Sequence, residues 1–534
     1  MKSVLLIRPL CAGDEPEFAE PLGIERIAGF LRAHGASDVR VFDRRLFAAE
    51  RKAGITGEDA PAFFECLQAE YAGGRAPDVV GLSLMTAADI PDARRIITRL
   101  RSWWPKALFT AGGVYATCAS GEVACSLPQG VVLLRGEGER QLLALASDGC
   151  GVVVRAGVGA SAAADAKAGV SENSNVIANA RLVACGHVCA VAGDSVSVAD
   201  VATAERAGTR SSGGVNAIVN AETMTNTAVT ASALDSPDDW AIPFRPDLER
   251  YVALGCAVNV HSSRGCPGSC SFCATPALPP KLRRWQPRSI GLVVDEIEQE
   301  AQRLQVAGLP AAFNFVDDDF GPLTRVEALA AELARRKLRI AFSLEMRLAS
   351  LATQPKLAQR LSRLREAGLS RIFFGLESLN PATLARWRKP DVLAGLPDVL
   401  DAFRAAGVDL QVGYILWHGA QTVEGARAEV AQLHDLGIYT HQMAISRLIV
   451  FPGCALGAEG ASGEGFQPMS DEAESFHRRF AQETSALASR WTALAIQEPT
   501  AAAQALLTGQ TAHLASIRAE LHDINEQSFE AFMR

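Results

Sequence analysis

The sequence predicts an α/β fold in which a doubly wound, Rossmann-like parallel sheet precedes a partial (β/α)6 barrel of the TIM type and a helical C-terminal region. Short apolar runs alternate with amphipathic segments through residues 1–147, as in strands joined by crossover helices. About six further strand-helix units occupy residues 237–455, and residues 456–534 have helical periodicity. At 534 residues the chain is long enough for about three domains.

Five apolar runs of the first domain predict strands. They cover residues 4–7, 39–42, 79–84, 107–110 and 131–134, and a predicted helix over 21–34 ends at Gly35. Ligands of such sheets bind at the carboxyl ends of the strands, where small residues let a bulky ligand approach the backbone. The candidate ligand contacts at these ends are Arg8, Ser83, Leu84, Thr86, Gly112, Gly113, Val114, Gly136, Glu137 and Gly138.

Residues 148–236 differ in composition from the rest of the chain. They contain no Phe, Tyr, Trp or Pro and consist mainly of Ala, Val, Gly, Ser, Thr and Asn. Such a segment has little apolar surface to offset the loss of chain entropy on folding, which predicts a flexible low-complexity insertion. Local alternation of its small residues leaves a small-residue β array as the alternative.

The second half of the chain predicts the barrel unit by unit, after a Pro-rich linker over 235–250. Strands are predicted over 256–260, 311–316, 338–344, 371–375, 409–415 and 442–450. Helices are predicted over 288–306, 325–336, 355–367, 393–406 and 422–436, and residues 466–534 predict further helices with an N-cap at Ser470. Reactive groups of such a barrel lie at the carboxyl ends of its strands.

Three cysteines lie directly after the first predicted barrel strand. Cys266, Cys270 and Cys273 have the spacing C-x3-C-x2-C in SSRGCPGSCSFCATP. In a reducing compartment this grouping indicates a metal, and three thiolates can hold a [4Fe-4S] cluster with one iron left open for a ligand. Structural zinc is the alternative, but it needs four ligands, and the nearest candidates, Cys256 and His261, are not at a usual ligand spacing.

The cysteine motif, with Phe272 before its last cysteine and a six-unit barrel behind it, resembles the radical S-adenosylmethionine (SAM) superfamily over residues 250–455. The resemblance implies that the open iron binds the amino and carboxylate groups of SAM. It further implies that an electron from the cluster cleaves SAM to a 5′-deoxyadenosyl radical, which abstracts hydrogen. Phe272 is then expected near the adenine.

The same resemblance assigns polar strand-end residues to SAM. Asp317, Asp318 and Asp319, in the run FNFVDDDFGP, lie where the amino group of SAM is bound, with Asp318 as the candidate contact, although family members often have Gly-Gly-Glu there. Glu345 and Arg347 in SLEMR, and Glu377 and Ser378 in FFGLESLNP, match positions used for the ribose and the carboxylate. An arginine can pair with a carboxylate through two parallel hydrogen bonds.

The strand ends GLSLMT, AGGVYAT and LLRGEGE of the first domain resemble the cobalamin-binding domain that precedes the barrel in one large class of radical SAM enzymes. No D-x-H-x-x-G motif is present, so the resemblance implies cobalamin without a histidine ligand from the protein. A degenerate domain that has lost its ligand is the alternative.

This resemblance implies a cobalamin-dependent radical SAM methyltransferase that acts on an unactivated carbon. A rearrangement, cyclisation or ring contraction without methyl transfer is the alternative within the enzymes, and a non-catalytic cluster-binding or cobalamin-binding protein is the alternative outside them. The expected cofactors are a [4Fe-4S] cluster, SAM and cobalamin.

The charge and hydropathy of the sequence limit the classes of partner and the location that we expect. The net charge of −8 disfavours nucleic acid, and no apolar run is long enough for a membrane span, so we expect a cytoplasmic protein. The expected partners are a small-molecule or peptide substrate and an electron donor such as a flavodoxin or ferredoxin.

Overall fold

Two parallel sheets organise the chain, each within its own unit of structure. The computed structural model describes residues 1–11, 19–52, 62–147, 234, 236–390, 392–451, 453–456 and 465–534, and the backbone of 180–184 and 227–231. The first unit comprises Met1–Ala12, Ile27–Phe42 and Cys66–Ala233, and the second comprises Gly13–Arg26, Asp43–Glu65 and Leu234–Arg534. Two segments near the N-terminus therefore fold with the second unit.

The first unit contains a seven-stranded sheet in the order β2-β1-β3-β4-β5-β7-β6. Its strands are β1 (Val4–Arg8), β2 (Val39–Asp43), β3 (Val79–Ser83), β4 (Leu108–Gly112), β5 (Val132–Arg135), β6 (Ala180–Ala184) and β7 (Thr227–Ala231). β1, β3, β4, β5 and β7 pair in parallel, and β6 pairs antiparallel with β7. All five residues of β1 are buried, as expected for a strand with helices on both faces of its sheet.

Helices connect these strands as the sequence predicts. In the first 147 residues they are Leu22–Ala33, Arg44–Lys52, Phe63–Tyr71, Ile90–Trp103, Val114–Cys118, Ser120–Ser126 and Glu139–Ala146. The predicted doubly wound sheet is confirmed. β6 and β7 fall within the predicted insertion 148–236, and nearly all its other residues lie outside the described part of the chain.

The second unit contains a five-stranded parallel sheet in the order β14-β13-β12-β11-β8. Its strands are β8 (Val258–Val260), β11 (Ala312–Phe315), β12 (Ala341–Glu345), β13 (Leu369–Glu377) and β14 (Asp409–Tyr414). Two antiparallel pairs are added by β9 (Ser263–Arg264) with β10 (Gln286–Pro287), and by β15 (Ile449–Val450) with β16 (Gly465–Phe466). The predicted partial barrel is thus confirmed in five of its strands.

Helices alternate with the strands of this barrel and continue beyond it. Those up to residue 445 are Leu248–Ala253, Pro280–Arg283, Ile290–Val306, Leu323–Arg335, Ala349–Ala352, Leu357–Glu366, Pro381–Arg386, Leu396–Ala406, Val423–Asp435 and His441–Ile445. The C-terminal helices are Asp471–Glu483, Ser485–Thr508 and Ala512–Met533, and the Ser470 hydroxyl caps the first of them. Among the described residues no helix is both long and apolar enough to cross a membrane.

The C-terminal helices close the amino end of the barrel. Ala503 of helix Ser485–Thr508 packs against Ala312 and Ala341, which begin β11 and β12. Glu498 of the same helix is buried and pairs with Arg371 and Arg518. Small residues on this helix let it approach the strand ends closely.

The sixth predicted strand, over 442–450, is wrong for most of its length. The chain forms the short helix His441–Ile445, which Thr440 caps, and then makes one parallel bridge between Arg447 and Trp417 before β15. The run QMAISRLIV is apolar enough for a strand, but a short apolar run does not distinguish strand from buried helix. Among the described residues, β14 therefore pairs with β13 along one edge and with no strand along its other edge.

Side chains cap the other edge of the barrel, at β8. Glu20 Oε1 accepts a hydrogen bond from the Asn259 amide at 2.6 Å, and Arg245 Nη2 donates to the Asn259 carbonyl at 2.7 Å. Arg245 is fully buried and also pairs with Glu296 at 2.9 Å and Glu300 at 3.3 Å. Burial raises the pKa of Glu20 to about 7, although Arg245 favours its charged form. The pair supplies the donor and acceptor that a further strand would otherwise provide.

Arg245→Ala should destabilise the barrel, because three carboxylates then remain buried without their shared cation. Removing one partner of a buried ion pair costs about 3 to 5 kcal/mol. Urea unfolding of the full chain, followed by circular dichroism, measures this loss. Arg335→Ala, at an exposed arginine that pairs with Glu332, is the control and should leave the unfolding midpoint unchanged. Equal midpoints for the two variants would contradict the role given to Arg245.

Candidate functional site

The cysteine loop follows β9 and begins at a glycine that its surroundings require. Gly265 has φ +74°, and a Cβ there would lie 2.6 to 2.7 Å from the carbonyl oxygens of Leu282, Arg283 and Arg284. The amide of Cys266 donates to the Arg283 carbonyl at 3.1 Å. The first thiol is therefore placed by backbone contacts.

The middle of the loop is held by Ser271. Its amide donates to the Trp387 carbonyl at 2.8 Å, its hydroxyl donates to the Arg386 carbonyl, and its carbonyl accepts from the Leu456 amide at 3.0 Å. The Phe272 ring packs edge-on against Trp387, with ring centroids 5.4 Å apart. These contacts fix the segment between the second and third thiols.

All three thiols line one cavity at the carboxyl ends of the barrel strands. Cys266 Sγ accepts from the Gly268 amide at 3.3 Å, and Cys273 Sγ accepts from the Thr275 amide at 3.4 Å. A Cβ on Gly268 would lie 3.3 Å from Cys266 Sγ, so the glycine leaves room beside the thiol. Burial raises the pKa of Cys266 to about 11.

The arrangement fits an iron-sulfur cluster better than a single metal ion. In the described ranges, no three His, Cys, Asp or Glu side chains stand close enough to share one ion, as structural zinc requires. A four-iron cluster takes each thiolate on a separate iron, so the thiols need only surround a common space. His261 is bonded to Arg26, and Cys256 is buried with a pKa raised by burial to about 12, so neither completes a zinc site.

The three consecutive aspartates have different surroundings. Asp317 is buried and accepts hydrogen bonds from the amides and hydroxyls of Ser262 and Ser263, while burial raises its pKa to about 7. Asp319 is buried and pairs with Arg347 Nε at 2.7 Å. Asp318 alone of the three lines the cavity, and desolvation raises its pKa. The family resemblance indicates the run of three aspartates, and Asp318 is the one of them that lines the cavity.

Glu345, Arg347 and Glu377 line the same cavity, as does Phe272. Ser378 does not: it is fully buried, and its hydroxyl donates to Glu429 at 3.2 Å. The structure therefore brings together the three thiols and five of the six predicted SAM contacts, and directs the sixth into the core.

Lys389 is a cavity residue that sequence reasoning missed. Its Nζ lies 3.3 Å from Glu377 Oε1, and Glu377 has a left-handed φ of +72°. A Cβ on Gly375 would meet Glu377 Oε1 and lie 3.2 Å from Lys389 Nζ, so the glycine leaves room for the pair in this arrangement. The signal available in the sequence was the run RWRKP after the predicted strand-end motif.

In the first unit, the predicted strand-end residues include several that hold the loops in place. Arg8 is buried, pairs with Asp89 at 2.7 Å and donates to the Ser83 carbonyl at 3.2 Å. Asp89 in turn accepts from the amides of Met85 and Thr86. The Arg8 guanidinium thus organises the loop after β3.

Of the glycines at these strand ends, Gly113 is required by its protein contacts. Gly113 has φ +104°, and a Cβ there would lie 2.4 Å from the Leu84 carbonyl oxygen. A Cβ on Gly138 would lie 2.9 Å from the Ile27 side chain, whereas one on Gly112 would make ordinary contacts with Leu134. The Gly136 amide donates to Thr117 Oγ1 at 2.9 Å. Close chain packing therefore explains Gly113 and Gly138 without a ligand.

The remaining strand-end residues present a mixed surface. Met85 and Val114 are large apolar residues exposed by 43% and 38%. Ser83, Thr86 and Glu137 are partly exposed, and Leu84 is buried. An apolar surface with polar groups around it suits a flat ligand whose faces are apolar and whose edges carry amides.

His418 lies four residues beyond the end of β14 and does not face open space. It is buried, its ring meets that of Trp387 edge-on at 5.1 Å, and burial lowers its pKa. Cys454 is likewise buried in the apolar cluster beside Trp387. Both residues support the cysteine loop from behind.

Part of the barrel matches a family model. Residues 260–422 match the model of the Radical SAM superfamily. The bacteriochlorophyllide d C-12(1)-methyltransferase of Chlorobaculum tepidum is 30% identical over 157 residues, which are 29% of this chain and 31% of that protein. The hopanoid C-2 methylase of Rhodopseudomonas palustris is 26% identical over 168 residues, 31% of each chain. The matches span about a third of the length of these curated relatives.

Solved structures resemble the whole chain. OxsB, a cobalamin-dependent S-adenosylmethionine radical enzyme with aqua-cobalamin bound, has a TM-score of 0.66 at 12% identity, covering 100% of this chain and 72% of OxsB. TsrM of Kitasatospora setae, a radical S-adenosylmethionine methyltransferase, has a TM-score of 0.55 at 18% identity, covering 86% of this chain and 76% of TsrM. At these identities the likeness establishes the fold.

Gly265→Ala should displace the first thiol, because the new methyl group would meet three carbonyl oxygens. We expect loss of bound iron after anaerobic reconstitution, measured as iron per chain. Gly255→Ala is the matched control, since Gly255 also has a positive φ, +92°, but no atom within 4 Å of the added Cβ. Equal iron content in the two variants would show that the contact, as opposed to backbone strain, has no effect.

Proposed function

We propose that this chain, which carries a radical SAM domain and has the fold of cobalamin-dependent radical SAM enzymes, is a methyltransferase that uses a [4Fe-4S] cluster, SAM and cobalamin. Its substrate is an unactivated carbon of a small molecule or peptide. The carrying observation is the single cavity that joins Cys266, Cys270 and Cys273 with acidic and basic side chains. An electron donor such as a flavodoxin or ferredoxin is part of the proposal.

The cavity residues suit the two ends of an amino acid. Asp318 is a solvent-exposed carboxylate on the wall, suited to an ammonium group. Arg347 is held by Asp319 through Nε, and among the described residues its two terminal nitrogens bond no protein group, which leaves a fork for a carboxylate. Phe272 offers an aromatic face beside the thiols. The proposal assigns SAM to these residues and the cluster to the thiols.

Lys389 and Glu377 neutralise each other in the cavity wall. Burial raises the pKa of Glu377, while Lys389 favours its charged form. A ligand with two hydroxyls, such as a ribose, can replace the lysine as the partner of Glu377 and leave the ammonium of Lys389 for an anionic group. The pair therefore gives the site a charged contact for each part of a zwitterionic nucleoside.

The exposed Met85 and Val114, with Ser83 and Thr86, form the surface to which we assign cobalamin. In the described part of the first unit the only histidine is His34, whose Nδ1 contacts the Phe30 carbonyl away from the strand ends. His34 is therefore not positioned to be a ligand of cobalt bound at the described strand ends. Bound together, these groups would supply one-electron cleavage of SAM and a transferable methyl group.

Methyl transfer is proposed over rearrangement because of the names of the relatives. Both curated relatives are methyl-transferring enzymes, and TsrM is a methyltransferase. Residues Cys266, Phe272 and Arg347 of the proposed SAM site lie within the matched domain.

Replacing any of the three loop cysteines by alanine should abolish cluster binding and SAM cleavage. Reconstituted parent protein is expected to hold about four irons per chain. Iron and sulfide analysis with detection of 5′-deoxyadenosine under reducing anaerobic conditions measures both. Cys125→Ala, at an exposed cysteine outside the barrel, is the control. Full SAM cleavage by Cys270→Ala would overturn the cluster assignment.

SAM labelled at its methyl group should give labelled product, S-adenosylhomocysteine and 5′-deoxyadenosine, provided that the protein was produced with cobalamin. Mass spectrometry of the products detects all three. Unlabelled product with 5′-deoxyadenosine alone would replace methyl transfer by rearrangement. Undiminished turnover without cobalamin would refute the assignment of the first unit.

A further inference from the structure

A second cavity, of about 800 Å³, lies beside β14 where the predicted sixth strand would have run. Residues 409–414 of the strand line one side, and residues of the segment 437–443 line the other. Its volume is within the range of sites for small organic ligands. The unpaired edge of β14 offers backbone donors and acceptors along this wall.

Phe373 forms part of the wall of both this cavity and the cysteine cavity. The residue is half-buried in the middle of β13. A Cβ on Gly413 would lie 2.7 Å from Phe373 Cζ, so glycine at this position lets the ring lie across β14. The two cavities are thus neighbours on either side of one aromatic ring.

The lining of the second cavity combines aromatic surface with positive charge. Phe403, Tyr439 and Trp491 are among its walls, and its charged residues are Arg365, Arg404, Arg518 and Asp409. The lining contains more arginine than acidic residues, so the cavity favours an anion.

The carboxylates that pair with these arginines show which arginine keeps an unbalanced positive charge. Arg518 pairs with Asp409 and Glu498, and Arg404 pairs with Asp401 at 2.9 Å. Arg365 pairs with no carboxylate in the described ranges. Arg365 Nη1 and Arg404 Nη2 lie against the glycine turns at Gly407 and Gly437, 3.1 and 3.3 Å from a Cβ placed there. Arg365 is therefore the arginine of this lining whose charge no carboxylate of the described residues balances, and it lies at the Gly407 turn.

We propose that this cavity is the substrate site, and that it accepts a molecule with an apolar or aromatic body and an anionic end. The anion lies at Arg365 and Arg404, and the body extends along β14 towards Phe373. The Phe373 ring then lies between the substrate and the SAM site. The substrate reaches SAM only if this ring rotates or if the substrate packs against it. The term substrate rests on the proposed function, whereas the ligand chemistry rests on the cavity alone.

The test uses 8-anilinonaphthalene-1-sulfonate, which has an aromatic body and an anionic end, with the full chain before SAM is added. We expect saturable binding seen as increased fluorescence, and a dissociation constant about tenfold higher in the double variant Arg365→Gln/Arg404→Gln. Arg335→Gln, at an exposed arginine outside the cavity, is the matched control and should bind as the parent does. Gln411→Trp places a large ring in the cavity from an exposed position on β14 and should abolish binding.

Misfolding does not imitate these results, because partly folded proteins bind this dye more strongly. Unchanged affinity in the double variant, or unchanged fluorescence with Gln411→Trp, would overturn the proposal. Reductive SAM cleavage without substrate should be equal in Arg335→Gln and the parent, since Arg335 lies outside both cavities. Absence of SAM cleavage in the parent would overturn the proposed function, while the dye result still decides what the cavity binds.

Discussion

The fully buried Arg245 is the contact on which the barrel edge depends. An incomplete barrel leaves two edge strands, and the exposed backbone groups of each must be satisfied or covered. At β8, Arg245 and Glu20 bond the carbonyl and amide of Asn259, and Glu296 and Glu300 balance the guanidinium. Along β14 no described strand pairs with the outer edge, and the bridge between Trp417 and Arg447 lies beyond the end of the strand. Buried ion pairs therefore cover the edge at β8, whereas a cavity lies along the edge at β14.

The candidate site depends on backbone positions as much as on its reactive side chains. Gly265 allows the cysteine loop to turn against three carbonyl groups, and Gly375 allows Glu377 to meet Lys389. Glu377 itself holds a left-handed conformation, which costs a non-glycine residue about 1 to 3 kcal/mol. Such a conformation persists only when its surroundings determine it, and here they hold a partly buried carboxylate in the cavity wall.

The sequence predicts the structure where a residue type has a local effect that does not depend on distant partners. The C-x3-C-x2-C spacing, the strand-helix alternation and the Ser470 cap are of this kind, and the structure follows them. Three features were not accessible, because they depend on partners far along the chain. Ser378 faces Glu429, Gly113 packs on Leu84, and residues 441–445 fold as a helix. The spacing of apolar residues predicts that a side chain is buried, but it does not predict which residues that side chain will contact.

The Glu20–Asn259 contact also has a consequence for the order in which the chain folds. The two residues are separated by 239 positions, and residues 13–26 and 43–65 belong to the barrel unit although the other sheet contains much of the intervening chain. At about 5 to 20 residues per second of synthesis, Glu20 waits roughly 12 to 50 s for its partner strand to emerge from the ribosome. Vectorial folding can therefore complete most of the first sheet early, but the edge of β8 closes only after the N-terminal segment has been held available. During that interval the nascent chain exposes Glu20, a glutamate that is buried in the folded protein, and this is a segment that a chaperone could hold until β8 emerges.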